Sequence, residues 1–254
     1  MLGKKVVVAG ATGSVGRLIV KTCVDDPRIE KVTAIVRKTI SNEKADQLWA
    51  AGNNTNKLTQ VQVDYASLDV NDEKLKSAFQ GTDAFLTGMG LYSGSSTEAE
   101  MDRVEGSYNQ IMATIAHAAG AKRGAYLSGN GVKQPSTEGR AMAMFGRVKG
   151  RAEEALANVF NGPDEAHVSA RPAIIFDRPG EPVYGAAIEG LINSWVFASL
   201  RETRFGISAN LIAKGMVQGA LFDDKTHVDG NTIWENEDIR KAAERYEEFF
   251  ENQE

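Results

Sequence analysis

The sequence predicts an α/β fold: a doubly wound parallel sheet with a small C-terminal region capping the substrate cleft. Three observations predict it. Short apolar runs recur along the first two-thirds of the chain, stretches of helical period separate them, and a glycine-spaced turn joins the first run to the first helix. Short strands buried on both faces and linked by helices are βαβ units. Right-handed crossovers then stack them as a three-layer sandwich.

The strands are expected at Lys5–Gly10, around Val6-Val7-Val8-Ala9, and at Lys31–Val36, which ends Ala34-Ile35-Val36. Further runs follow at Gln60–Asp64, Ala84–Gly88, Gly124–Ser128 and His167–Ala170. Helices are expected between them at Val15–Val24, Asn42–Ala51, Asn71–Phe79, Ala99–Ala119 and Arg140–Val159. Beyond residue 177 the alternation breaks at Asp177-Arg178-Pro179-Gly180-Glu181-Pro182. Candidate helices follow at Ala186–Leu200, Ser208–Phe222 and Glu237–Glu251. No flexible linker intervenes, so the chain reads as a single domain whose residues from about 177 to 254 close over the sheet's carboxyl edge. The last helix carries Ile239, Ala242, Ala243, Tyr246, Phe249 and Phe250 on one face, which suits docking on its own domain.

Composition narrows the function. The chain has 254 residues with 42% hydrophobic content, enough to bury a sizeable core. Its 29 basic and 34 acidic residues leave a net charge of −5, which argues against binding a nucleic-acid backbone. A single cysteine, Cys23, allows neither an internal disulfide nor a thiolate zinc cluster and reads as a buried small hydrophobe. His117, His167 and His227 are scattered, so no metal site is expected. No apolar run approaches the ~20 residues of a membrane span. The first apolar run begins too early to leave room for a signal peptide, so a cytoplasmic location is expected.

The turn after the first strand reads Gly10-Ala11-Thr12-Gly13-Ser14-Val15-Gly16-Arg17. Glycines at this spacing, between a strand and a helix, let the backbone approach a diphosphate, and the helix N-terminus offers it free N–H groups. The context implies a bound dinucleotide. The second strand ends in Arg37-Lys38, where an NAD site would place a carboxylate on the ribose 2′-hydroxyl. Two cations there favour NADP(H), because a guanidinium can grip a 2′-phosphate bidentately. Arg17 is a candidate third cation, and Asp64, ending the third strand, can accept from the adenine amino group.

These features, with Val63-Asp64-Tyr65, Gly88-Met89-Gly90, Tyr126-Leu127-Ser128, Val148-Lys149-Gly150 and Ser169-Ala170-Arg171-Pro172, recur in order. Over roughly residues 4 to 180 the chain resembles the atypical short-chain dehydrogenases/reductases, and most of all their Tat-interacting-protein-like or NmrA-like group. The resemblance implies a Rossmann core, an NADP(H) site that includes Tyr65, Gly88, Met89 and Gly90, and a substrate cleft over the nicotinamide. It also implies a catalytic serine at Ser128 and a lysine at Lys149 that holds the nicotinamide ribose. The family's tyrosine, four residues before that lysine, is Phe145 here.

A phenyl ring cannot protonate a developing alkoxide, and such acid catalysis is worth about 10²–10⁴-fold. Three outcomes stay open. Another donor can serve, with Tyr92, Tyr108, Tyr126 and Asn130 as candidates. The substrate, for example an iminium ion, can need no acid at oxygen. Or the protein binds NADP(H) without turnover, as a regulatory or scaffold protein. The reductase reading implies a small neutral substrate lying under the loops Leu91–Glu98, Gly129–Gly139 and Asp177–Gly185, with Trp195, Val196 and Phe197 as further pocket candidates. A protein partner or homodimer is left open.

Overall fold

A computed structural model describes residues 3–49, 55–92, 94–132, 143–180, 203 and 205–252. The elements run in order β1 (Lys4–Ala9), α1 (Gly16–Asp25), β2 (Ile29–Val36), α2 (Asn42–Trp49), β3 (Leu58–Gln62), α3 (Glu73–Phe79) and β4 (Ala84–Thr87). Next come α4 (Glu98–Met101), which runs through a π-helical segment (Asp102–Tyr108) into α5 (Asn109–Ala118), then β5 (Arg123–Leu127), α6 (Ala143–Val159) and β6 (Ala166–Ala170). The chain ends with β7 (Ile174–Phe176), β8 (Gly206–Ser208), α7 (Ala209–Leu221), β9 (Gly230–Trp234) and α8 (Asn236–Glu251).

Seven strands form one sheet in the order β3-β2-β1-β4-β5-β6-β9, and each neighbouring pair is parallel. Strand alternation divides the core into two layers. Val6 and Val8 face one layer with Ile19, Val20, Ile212 and Met216; Val7 and Ala9 face the other with Leu75, Phe79, Met112 and Leu156. The direction of winding reverses between β1 and β4, and a crevice opens there at the carboxyl ends of the strands.

In the C-terminal third, helices α7 and α8 are where periodicity places them. Helix α7 packs against α1 and the β4–β6 face of the sheet, α8 packs on α7, and β9 extends the sheet. Strand β9 escapes a sequence reading because it is an edge strand: Gly230-Asn231-Thr232-Ile233-Trp234 buries only Trp234. The short pair β7 and β8 forms a separate two-stranded parallel ladder. The expected helix at 186–200, with Trp195, Val196 and Phe197, lies outside the described residues.

The amphipathic face of α8 docks on its own domain. Ile239, Ala242, Ala243 and Tyr246 are buried, and the Tyr246 hydroxyl donates to the Thr22 carbonyl at 3.2 Å. The Arg28 guanidinium is held by buried Asp26 and lies 3.6 Å from the Phe222 ring centre and 3.9 Å from that of Phe249. No described helix is long and apolar enough to cross a membrane.

The three histidines have separate surroundings. His117 meets Glu165 at 2.8 Å, and Lys122 meets the same carboxylate at 3.0 Å. His227 sits beside Asp224 and Thr226 on an exposed turn. His167 is buried against the Phe160 ring, and burial pushes its pKa down to about 3, so it stays neutral.

Candidate functional site

The turn after β1 is shaped by close backbone packing. Gly10 has φ 70°, and a side chain there would bring a Cβ within 2.6 Å of the Met89 amide nitrogen. A Cβ on Gly16 would fall 2.0 Å from the Gly10 carbonyl oxygen. Only hydrogen fits at either position. The turn closes with Gly13 N–H donating to Gly10 O at 2.9 Å, and the Trp49 indole N–H pins it through Ala11 O at 2.9 Å. Helix α1 opens at Val15, whose side chain cannot cap it; the Arg17 and Leu18 amides donate to Gly13 O at 3.0 Å and Val15 O at 2.9 Å, and the amides ahead of them stand at the positive end of the helix dipole.

Above this turn lies a cavity of about 340 Å³. Gly10, Thr12 and Gly13 line it beside Gly88, Met89, Gly90 and Leu91. Ile35, Arg37, Tyr65, Val104 and Tyr108 complete it. Segments far apart in sequence thus meet where the glycine pattern and the family resemblance place a ligand. Ser14, Val15 and Gly16 stand behind the wall at the start of α1, the last two buried.

At one end of the cavity Arg37 follows β2, exposed and with no hydrogen bond or ion pair among the described residues. Lys38 beside it is also exposed but does not line the cavity. The rings of Tyr65 and Tyr108 lie 5.0 Å apart, and burial pushes the Tyr65 phenol up to about 12. Among the described residues no carboxylate lines this cavity.

Two acidic and basic candidates sit elsewhere. The Asp64 carboxylate accepts from the Ala66 amide at 3.0 Å and the Ser67 hydroxyl at 3.3 Å, and it borders a separate shallow groove with Gln62 and Lys74. An Asx turn of this kind uses the side chain locally. Arg17 donates to Gly13 O at 3.2 Å and Thr12 O at 3.0 Å, and its guanidinium packs against Gly180. It braces the turn and does not join Arg37.

The candidate catalytic set gathers at the end of β5. The Ser128 hydroxyl is buried without a hydrogen-bond partner among the described residues, while its backbone N–H donates to Ala170 O at 2.8 Å. A buried polar atom left unpaired is costly unless a ligand pairs with it. The Lys149 ammonium donates to Leu127 O at 3.0 Å and pairs with Glu105 at 2.5 Å. Phe145 presses its ring on Gly129, where a Cβ would lie 2.6 Å from the ring's Cζ.

Of the substitute donors, Tyr126 is fully buried and donates its hydroxyl to Glu105 at 2.6 Å. Burial, then the charge of Glu105, pushes its pKa well above the usual phenol value, which keeps the proton in place. Tyr108 lines the cavity, whereas Tyr92 and Asn130 are exposed on loops. Glu105 is the site residue that sequence reasoning missed. It shares a buried helical stripe with Met101, Asn109 and Met112, and an acid at that spacing was the available signal.

The sheet order, the glycine turn and the cavity at the reversal point define a dinucleotide-binding Rossmann domain. A family model described as NAD(P)H-binding matches residues 10–190, and the chain belongs to this NAD(P)H-binding family. The chain is 27% identical to the protein HTATIP2 of Rattus norvegicus, over 89% of its own length and 88% of the relative's. This agrees with the Tat-interacting-protein-like resemblance.

Solved structures share the fold. MoeE5 in complex with UDP-glucose and NAD superposes with a TM-score of 0.59 at 16% identity, over 95% of this chain and 81% of that one. A short-chain dehydrogenase/reductase from Saccharomyces cerevisiae gives a TM-score of 0.60 at 15% identity, over 91% of this chain and 95% of its own.

Proposed function

We propose that the chain binds NADP(H) in the β1/β4 crevice and acts as a reductase of a small neutral molecule, or of one such as an iminium ion or enone that needs no phenolic acid. The observation that carries the choice of nucleotide is Arg37, a guanidinium unpaired among the described residues, on a cavity to which those residues contribute no carboxylate. A 2′-phosphate answers that charge, whereas a 2′-hydroxyl leaves it unused.

When bound, the nucleotide supplies hydride. The chain's own residues hold and orient. The Gly10-Ala11-Thr12-Gly13 turn and the amides of Ser14, Val15 and Gly16 receive the diphosphate. Arg37, with Lys38 adding positive potential, takes the 2′-phosphate, and Tyr65 flanks the adenosine. Gly88, Met89 and Gly90 form the wall along which the nucleotide lies. Lys149 has one N–H left after Leu127 and Glu105 and offers it to the nicotinamide ribose. Ser128 offers its hydroxyl to a polar atom of the substrate. Asp64 is left out of this set because its carboxylate is engaged in its own turn.

Phe145 supports a second reading: a regulatory protein that binds NADP(H) without turning it over. The test is NADPH consumption, followed by absorbance, against aldehydes, ketones, enones and imines. The reductase reading expects turnover with an imine or enone and little with simple ketones. Silence across all four classes, alongside tight nucleotide binding, supports the regulatory reading.

A further inference from the structure

A fully buried carboxylate lies beneath the cavity wall, on the π-helical segment between α4 and α5. Both oxygens of Glu105 are engaged. Oε2 accepts from the Tyr126 hydroxyl at 2.6 Å and from Lys149 Nζ at 2.5 Å. Oε1 accepts from the Leu91 amide at 3.2 Å, and a Cβ on Gly90 would lie 3.0 Å from it. One side chain therefore joins three pieces of the site: the Gly90–Leu91 wall, the end of β5, and the lysine of α6. A π-helical segment carries a residue off the regular helical path, and such segments frequently mark functional positions.

We propose that Glu105 is the positioning residue for Lys149, taking over the task of fixing the ammonium group that position 145 cannot share in this chain. The deduction rests on the reading of Lys149 as the group that holds the nicotinamide ribose. Without a phenol at Phe145, the neighbouring rings offer the ammonium only their faces, Tyr126 at 4.8 Å and Phe145 at 5.8 Å. Those faces attract a cation but do not direct its N–H bonds. Glu105 and Leu127 O fix two of the three N–H vectors and thereby aim the third. The Leu91 bond also ties the placement of the ammonium to that of the cavity wall, so the two are set together.

The test compares two probes on the full chain. NADPH contains the nicotinamide ribose; adenosine 2′,5′-bisphosphate lacks it but keeps the 2′-phosphate. Glu105→Gln is expected to weaken NADPH about tenfold and to leave the bisphosphate within about twofold. Lys149→Met should do the same, and the double variant should be no weaker than Lys149→Met alone, since both changes remove one interaction. Because Glu105→Gln leaves a buried ammonium without its counter-charge and can fail to fold, Tyr126→Phe serves as the second variant. It removes one donor and keeps both charges, and should weaken NADPH about threefold with the bisphosphate unmoved. Equal losses for both probes, or losses that multiply in the double variant, overturn the positioning role. A wild-type chain that does not bind the bisphosphate instead overturns the NADP(H) reading beneath it.

Discussion

Gly16→Ala is expected to abolish measurable NADPH binding and to lower stability by about 3 kcal/mol or more, at the upper end of overpacking costs. The added Cβ would fall 2.0 Å from the Gly10 carbonyl oxygen, a backbone atom that no rotamer change can remove. That carbonyl also accepts the Gly13 N–H that closes the turn. Pushing it away moves Gly10, which packs so closely on Met89 that a Cβ there would lie 2.6 Å from the Met89 amide nitrogen. A single methyl group therefore disturbs both segments that line the cavity. Nucleotide titration of the variant, paired with its thermal melt, checks this. Wild-type affinity in Gly16→Ala would mean that the turn does not hold the nucleotide.

Phe145→Tyr is expected to raise NADPH-dependent reduction of simple ketones by about 10²–10⁴-fold, or roughly 3–5 kcal/mol of barrier. The remaining parts stand in place: a Ser128 hydroxyl unpaired among the described residues, an ammonium at Lys149, and a ring 5.8 Å from that ammonium. The ring abuts Gly129, so the new hydroxyl must be admitted by the Gly129-Asn130-Gly131 stretch, whose Gly131 has open space around it. The measured quantity is kcat/KM for a ketone series in both proteins. No gain, with nucleotide affinity unchanged, would count against a reductase and for the regulatory reading.

Much of the architecture is legible in the sequence because its strands are buried on both faces. Val6-Val7-Val8-Ala9 is apolar at every position since each side chain meets one core layer or the other. Strand β9 is not legible for the converse reason: an edge strand with one exposed face needs only Ile233 and Trp234 to be apolar, and Ile233 is itself exposed. Without β9 in view, nothing in the chain's pattern ties α7 and α8 to the sheet they flank.

At the site, the glycine turn and Arg37 carry signals that are local in the chain. Asp64 is ambiguous in the sequence, since an acid after a strand serves an Asx turn as readily as a ligand, and its carboxylate does accept the Ala66 amide. Glu105 could not be assigned a task, because its partners Leu91, Tyr126 and Lys149 come from three separate segments that only the fold brings together.

Which nucleotide the crevice prefers is decided at Arg37. Calorimetric titration of wild-type protein and Arg37→Asp with NADPH and with NADH measures it directly. The expected result is tighter binding of NADPH than NADH by the wild type, and a loss of about 100-fold for NADPH in the variant, from exchanging an attractive charge for a repulsive one. NADH should change little. No heat with either nucleotide, or an equal loss for both in Arg37→Asp, would contradict it.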